Sequence, residues 1–400
     1  MPALDMPLLL AALALVGIGL LTVYSATSVP GSHQGLWVRQ LAWAGIALAA
    51  AWIVASIHYR AYDALAWPLY GVALVLLVLV LFKGSSAYGA KRWLELGPLR
   101  FQPSELAKVA TVLLLARLFD KENLDLRRFV HWFPALLVTL VPFALVFKEP
   151  DLGTSLTFPA VLVVMYFWAG MPPGQLLLGL SPVFNAVLFF LTGTLWWSAG
   201  LVAVLLGLVR PRLATLLAVV LLNAGVGYAL PHVWNHLADY QKRRIETFLN
   251  PNDDPYRAGY QIIQSRIAIG SGGLIGTGYL KGTQKALAFL PMRHTDFIFS
   301  VVGEEWGLLG TLTVVLLFAL LVLRGYRLAL AARSGFASLL AVGVVTALFY
   351  HVMVNILMTI GWAPVTGLPL PLISYGGTAL VANGIQLGLL QNVAIRRTEF

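Results

Sequence analysis

Long apolar runs separated by short polar breaks dominate the chain, and their lengths decide what kind of protein this is. Segments of spanning or near-spanning length run roughly from Leu8 to Ser25, Trp37 to Ile57, Trp67 to Phe82, Pro103 to Phe119, Val130 to Phe147 and Ser155 to Met171. Further ones cover about Gln175 to Leu191, Leu195 to Val209 and Leu213 to Leu230, then Phe297 to Leu323, Phe336 to Ile360 and Thr378 to Val393. A helix needs roughly 20 apolar residues to cross a bilayer core, so these runs predict an all-α, polytopic membrane bundle of up to twelve spans. Some middle runs have only about 15 to 17 residues, so 172–212 is read as an extra helical hairpin, spanning, interfacial or re-entrant. Without it about ten spans remain, with the same sidedness. No period of about 20 to 50 residues repeats, which excludes a solenoid.

Composition agrees: 59% of the 400 residues are hydrophobic, 11% are charged, and the mean hydropathy is +0.82. An ordinary soluble domain has roughly 25% charged residues, so solubility is excluded. There is no Cys, hence no disulfide, thiolate nucleophile or Cys-held metal. The first apolar run lacks a basic leader and an A-x-A cleavage site and reads as a retained span.

The formal charge of +10 sorts by loop. Arg60, then Arg117, Lys121, Arg127 and Arg128, then Arg210 and Arg212, then Arg324, Arg327 and Arg333, and finally Arg396 and Arg397 fall in one set of connections. The alternate short loops hold little beyond Arg39 and Lys148. The positive-inside rule makes the first set cytoplasmic, with both termini inside. Two longer basic loops then lie outside: Lys83 to Gln102, followed by Lys108, and the polar stretch Asp239 to Asp296 within a large extracytoplasmic loop, 231–296. Long loops translocate largely regardless of charge, so their thirteen basic residues do not oppose this orientation. They are either solvated surface or a field for anionic headgroups and substrates.

Candidate chemistry gathers in these loops. Glu105 and Lys108 share a helical face at the outer end of a span, where an unpaired ammonium is costly. They read as a pair at a cavity edge, with Lys108 or Arg92 available to a phosphate; Glu105 serves equally as a helix cap. Trp93 is an interfacial anchor or a site residue. Asp151, in the turn Lys148-Glu149-Pro150-Asp151, caps the following helix or faces the same cavity. Asp254, beside Asp253 and before Pro255, is a turn carboxylate or a general base whose pKa a like-charged neighbour or desolvation raises. The tract Gly270 to Gly278 resembles a phosphate cradle but lacks the Gly-Lys-Ser/Thr ending of a Walker loop. Arg293-His294-Thr295-Asp296 leads into a span carrying Glu304-Glu305, without a closed metal-ligand set. Pro364 to Pro371 and Ser374-Tyr375-Gly376-Gly377 break the chain before the last span, where irregular backbone lines a cavity or is shielded by protein.

The segments RWLELGPLRFQPSELAK, EPDLGTS, FLNPNDDPYRAGYQIIQSRIAIGSGGLIGTG, LPMRHTDFIFSVVGEEWGLLG and NILMTIGWAPVTGLPLPLISYGG, in this order, resemble the SEDS family (shape, elongation, division, sporulation), in its rod-shape branch. The resemblance implies a single SEDS-type membrane domain over 1–400, of ten spans. Its activity would be that of an inverting peptidoglycan glycosyltransferase polymerising lipid II, a disaccharide-pentapeptide on undecaprenyl pyrophosphate. The work would be done on the outer face of the bacterial cytoplasmic membrane during cell elongation. The family's essential Asp falls on Asp254, and the matching positions of the first external loop and fourth span are Arg92, Trp93, Glu105 and Lys108. The expected site is thus Asp254 as catalytic residue, with Arg92, Trp93, Glu105, Lys108, Asp151, His294 and Ser374 binding substrate and no protein metal site. A divalent cation bridging the pyrophosphate is left open. Expected partners are a class B penicillin-binding protein (a transpeptidase) and other elongation-complex membrane proteins, with no nucleic acid. Tyr256-Arg257 replaces the family's Leu-Gly pair beside Asp254, and the surplus spans fall between Met171 and Arg212. Two other readings are a lipid-linked precursor flippase, which demands a path between leaflets, and a scaffold for the transpeptidase.

Overall fold

The computed structural model describes residues 4–28, 35–87, 90–96, 99–121, 125–126, 128–192, 196–209, 213–236, 242, 247–248, 259–282 and 292–397. Thirteen α-helices form among them, twelve growing from the apolar runs and one, Tyr260–Ser271, from within the polar stretch before Phe297. They are α1 (Met6–Thr27), α2 (Leu36–Ser56), α3 (Tyr59–Lys83), α4 (Pro103–Phe119), α5 (Phe133–Lys148), α6 (Leu152–Trp168) and α7 (Pro173–Thr192). Then come α8 (Trp196–Val209), α9 (Leu213–His236), α10 (Tyr260–Ser271), α11 (Ile298–Ala331), α12 (Gly335–Thr359) and α13 (Gly377–Ile395). Seven of the described helices are long and apolar enough to cross a membrane, and the chain is an integral membrane protein. Between α3 and α4 lies a feature the hydrophobic pattern does not announce. It is a three-stranded antiparallel sheet of β1 (Ser85–Ala87), β2 (Ala90–Leu96) and β3 (Leu99–Phe101), in the order β1-β2-β3.

Side chains set the helix starts. The Asp5 carboxylate accepts from Leu8 N–H at 3.0 Å to cap α1, and Asp151 accepts from Thr154 N–H at 3.2 Å to cap α6. Pro103 opens α4 in the first turn, where its missing N–H costs nothing.

α4 and α12 form the centre. Nearly all of α4 is buried, and its neighbours α3, α5, α6 and α12 share one hydrophobic core with it. Helix pairing inside a membrane relies on small residues and interhelical hydrogen bonds. Gly384 and Gly388, one turn apart on α13, rest on the backbone oxygens of Ala47 and Ala51 of α2. Asn392 closes the same pair by donating to the carbonyls of Val54 (2.9 Å) and Ala55 (3.1 Å). α7, α8 and α9 form a satellite with its own small core of Leu178, Val202 and Val219. Asn223 Nδ2 donates across it to Ser181 Oγ at 2.8 Å.

Candidate active site

α4, α6 and α12 bring their polar residues together at the end of the bundle that carries the sheet. On α4, Lys108 Nζ donates to Glu105 Oε1 at 2.9 Å, the one-turn pairing that the sequence spacing predicts. The Glu105 side chain therefore does not cap α4; its backbone N–H binds the Gln102 carbonyl instead. Lys108 also reaches His351 Nε2 of α12 at 3.0 Å, and Thr157 Oγ1 of α6 lies 3.1 Å from that same nitrogen. All four side chains are buried.

The rim is built from β2 and the turn between α5 and α6. Arg92 Nε donates to the Glu149 carbonyl at 3.2 Å, its Nη2 donates to the Pro150 carbonyl, and its Nη1 stands 3.8 Å from Asp151 Oδ2. Gln102 Nε2 adds a 3.3 Å bond to Asp151 Oδ2, and Thr154 Oγ1 donates to the same oxygen at 2.9 Å. Asp151 is thus both the cap of α6 and the residue on which Arg92, Gln102 and Thr154 converge. Trp93, half-buried, follows Arg92 on β2 and pairs with Ser85 of β1.

Glu149 escaped the sequence reading. Its side chain is fully buried, and neither carboxylate oxygen has a hydrogen-bond partner among the described residues. Burial pushes its pKa up, Asp151 pushes it further, and Arg92 pulls it down only in part, which leaves it at about 9. His351 was also missed, although a lone imidazole in an apolar span is a functional-site signal by default.

His294 and Ser374 sit together in a second cluster. Ser374 Oγ donates to the Thr295 carbonyl (2.6 Å) and accepts from Leu370 N–H (2.8 Å), while Tyr375 N–H donates to the His294 carbonyl (2.9 Å). Ser374 thus ties the segment after α12 to the start of α11. Asn355, one turn beyond His351 on α12, donates to the carbonyls of Asp296 (2.8 Å) and Leu368 (2.7 Å). Gly153 of α6 backs directly onto Thr366 and Leu368, so the two clusters are neighbours. Burial lowers the pKa of Arg293, whose Nε donates to the Ala26 carbonyl at 2.9 Å.

The glycine tract is not a phosphate cradle. It fills a break in α11 at Gly307, where φ is +64° and the helix loses its own bonds. The N–H groups of Thr277 and Gly278 take the carbonyls of Glu304 (2.9 Å) and Glu305 (3.1 Å), and the Gly273 carbonyl accepts from Leu308 N–H (2.9 Å). The amides of Gly272, Gly276, Thr277 and Gly278 are thus spent on protein carbonyls rather than on an anion. Glu304 and Glu305 are buried, and Ser25 Oγ of α1 donates to Glu305 Oε1 at 2.5 Å. α10, which begins six residues after Asp254, is pinned by Ser265 Oγ, which donates to the Thr359 carbonyl at 2.6 Å. Asp254 itself, with Asp253, Tyr256 and Arg257, lies outside the described residues. No group of three or more His, Asp or Glu among the described residues is placed to hold a metal ion.

Fold and site together define a polytopic helical membrane protein with a buried acid-base cluster at one end of its bundle. The family model for FtsW, RodA and SpoVE cell cycle proteins matches residues 6–198 and 185–399. Peptidoglycan glycosyltransferase MrdB of Escherichia coli K12 is 38% identical over 395 residues, covering 98% of this chain and 94% of that protein. The probable peptidoglycan glycosyltransferase FtsW of Geobacter metallireducens is 37% identical over 400 residues, covering 98% and 95%. Among solved structures, a peptidoglycan synthase complex that coordinates polymerization and crosslinking aligns at a TM-score of 0.78 and 31% identity, covering 100% of this chain and 99% of that one. The rod shape-determining protein RodA of Thermus thermophilus aligns at 0.67 and 30%, covering 100% and 99%. The chain belongs to the FtsW/RodA/SpoVE family, the SEDS proteins. The two matched segments meet within 185–198, inside the satellite of α7 and α8.

Proposed function

We propose that this chain is a peptidoglycan glycosyltransferase that polymerises lipid II by inverting transfer. The observation that carries the reading is the buried Glu105-Lys108-His351 cluster, in a chain matched over 98% of its length by a peptidoglycan glycosyltransferase. Glycosyl transfer from a lipid pyrophosphate needs a base for the acceptor hydroxyl and a cation for the leaving group. Asp254 takes the proton as the hydroxyl oxygen attacks the anomeric carbon, and the glycosidic bond to the pyrophosphate breaks. Lys108 is the cation: an ammonium in a water-poor site stabilises the charge developing on the leaving oxygen far more than in water. Arg92 has donors committed to the carbonyls of Glu149 and Pro150, so it shapes the rim beside Asp151. Trp93, His294 and Ser374 complete the wall that receives the substrate.

The loop distribution of Lys and Arg supports an extracytoplasmic site end, with both termini in the cytoplasm of a bacterial cell and 231–296 as the large external loop. α7 and α8 are then an extra hairpin inserted into a single ten-span domain. The partner is a class B penicillin-binding protein of the elongation machinery, a reading supported by the structural likeness to a synthase complex.

The test is glycan-chain formation from lipid II by purified protein in detergent, with and without the transpeptidase partner and a chelator. Chains should form, and Asp254→Asn should abolish them while leaving the protein folded and inserted. Normal synthesis by that variant would sink the assignment of the base. Absence of chains with partner present favours the flippase reading, because detergent offers no leaflet to cross.

A further inference from the structure

An ammonium offers three donors and no acceptor. Lys108 spends one on Glu105 Oε1 at 2.9 Å and one on His351 Nε2 at 3.0 Å. His351 therefore accepts through Nε2 and carries its proton on Nδ1. Thr157 Oγ1 stands 3.1 Å from the same Nε2. That nitrogen has a single lone pair, so the ammonium and the hydroxyl are alternative donors to it. The three side chains come from α4, α6 and α12, and the residues are 4%, 0% and 6% exposed for Lys108, Thr157 and His351. In such a place an acceptor that loses its only donor carries its full desolvation cost.

We propose that His351 and Thr157 form a hand-over unit for Lys108. While the site is empty, His351 holds the ammonium in place. When a pyrophosphate oxygen draws the ammonium away, the Thr157 hydroxyl takes the vacated lone pair, so the imidazole is never left without a donor. His351 is a positioning residue that acts through Lys108, and Thr157 lowers the cost of releasing it. The unit rests on the reading of the substrate as a lipid-linked pyrophosphate. It adds to that reading why a neutral imidazole and a hydroxyl lie behind the cation: they let Lys108 change partners without opening the cavity to water.

The test compares affinity for undecaprenyl pyrophosphate with the melting temperature of the ligand-free, full-length protein in detergent. Thr157→Val should bind about tenfold more weakly with a ligand-free melting temperature at or above that of the wild type, because Lys108 already satisfies Nε2 in that state and Val buries no hydroxyl. Thr157→Ser should restore affinity. In a Glu105→Gln, Lys108→Met background, which leaves no unpaired charge, Thr157→Val should bring no further loss of affinity, since there is no ammonium to release. Wild-type affinity in Thr157→Val overturns the hand-over. So does a loss of affinity that follows a loss of ligand-free stability and that Ser does not rescue. A wild-type chain without affinity for the pyrophosphate overturns the substrate reading and the hand-over with it.

Discussion

Gly272 and Gly303 meet backbone on backbone: a methyl group added at Gly272 would overlap the Gly303 carbonyl oxygen. Gly276 stands against the Glu305 carbonyl in the same way, at φ +84°, where a side chain is strained whatever the space. This contact seats the glycine tract in the break of α11. Gly272→Ala must push the two segments apart and stretch the bonds from Thr277 and Gly278, at a cost of about 1–3 kcal/mol. A lowered melting temperature in detergent is the expected result; a wild-type value would show that the tract is loosely seated.

Glu105 and Lys108 predict a different pattern. Breaking a buried ion pair by removing one partner leaves an uncompensated charge and costs about 3–5 kcal/mol, whereas removing both is often near neutral. Glu105→Gln alone should therefore yield little folded protein. Glu105→Gln with Lys108→Met should recover stability and still make no glycan. If the double variant polymerises lipid II, Lys108 is not the leaving-group cation.

Much of this was legible from hydrophobic pattern, because a membrane forces every long apolar run into a helix that satisfies its own backbone. The Asp151 cap and the Glu105-Lys108 pair were legible for the same kind of reason, being local and set by spacing along one helix. Helix α3 begins eight residues before its apolar run, since Arg60 and Asp63 lie in its first turns and Arg117 pairs with Asp63 at 3.5 Å, a contact no local signal announces. The sheet was hidden because strands as short as β1 and β3 show no alternation to read. Glycine chemistry was ambiguous in principle: the missing side chain that lets an anion approach an amide also lets another backbone approach it. Only the position of Gly307 opposite the tract decides between them. His351 was a single polar letter in an apolar helix, and its meaning depends on Lys108, 243 residues away.

At the opposite end of the bundle, Asp5 joins three helices. Its carboxylate caps α1 through Leu8 and receives Arg324 of α11, with Nε at 3.2 Å and Nη2 at 2.5 Å. Its backbone exchanges two bonds with Gln391 of α13, at 2.9 and 3.0 Å. Asp5→Ala removes the cap and leaves the guanidinium without this carboxylate, so about 2 kcal/mol of stability should go. Arg324→Ala should cost at least as much although the cap survives, because it leaves the buried Asp5 carboxylate without its counter-ion, whereas the guanidinium is partly exposed. A clearly higher melting temperature for Arg324→Ala than for Asp5→Ala would contradict this division of labour.

Glu149 gives stability a pH dependence of known sign. Its carboxyl is held protonated up to about pH 9 in the folded protein, against an ordinary value of 4.5 when exposed. Between these values the unfolded chain has released its proton and the folded one has not, so the folded state binds more protons and stability falls as pH rises. The contribution is fully present below pH 4.5, falls by up to about 1.4 kcal/mol per unit above it, and is lost once pH passes about 9. Glu149→Gln keeps the shape and removes the titration. Melting temperatures measured from pH 5 to 9 should therefore converge for the two proteins at the acidic end and separate steadily towards the alkaline end, with the Gln variant the more stable. Parallel curves would mean that Glu149 ionises in the folded protein, and that Arg92 turns from the carbonyls of the 149–150 turn to the carboxylate when it does.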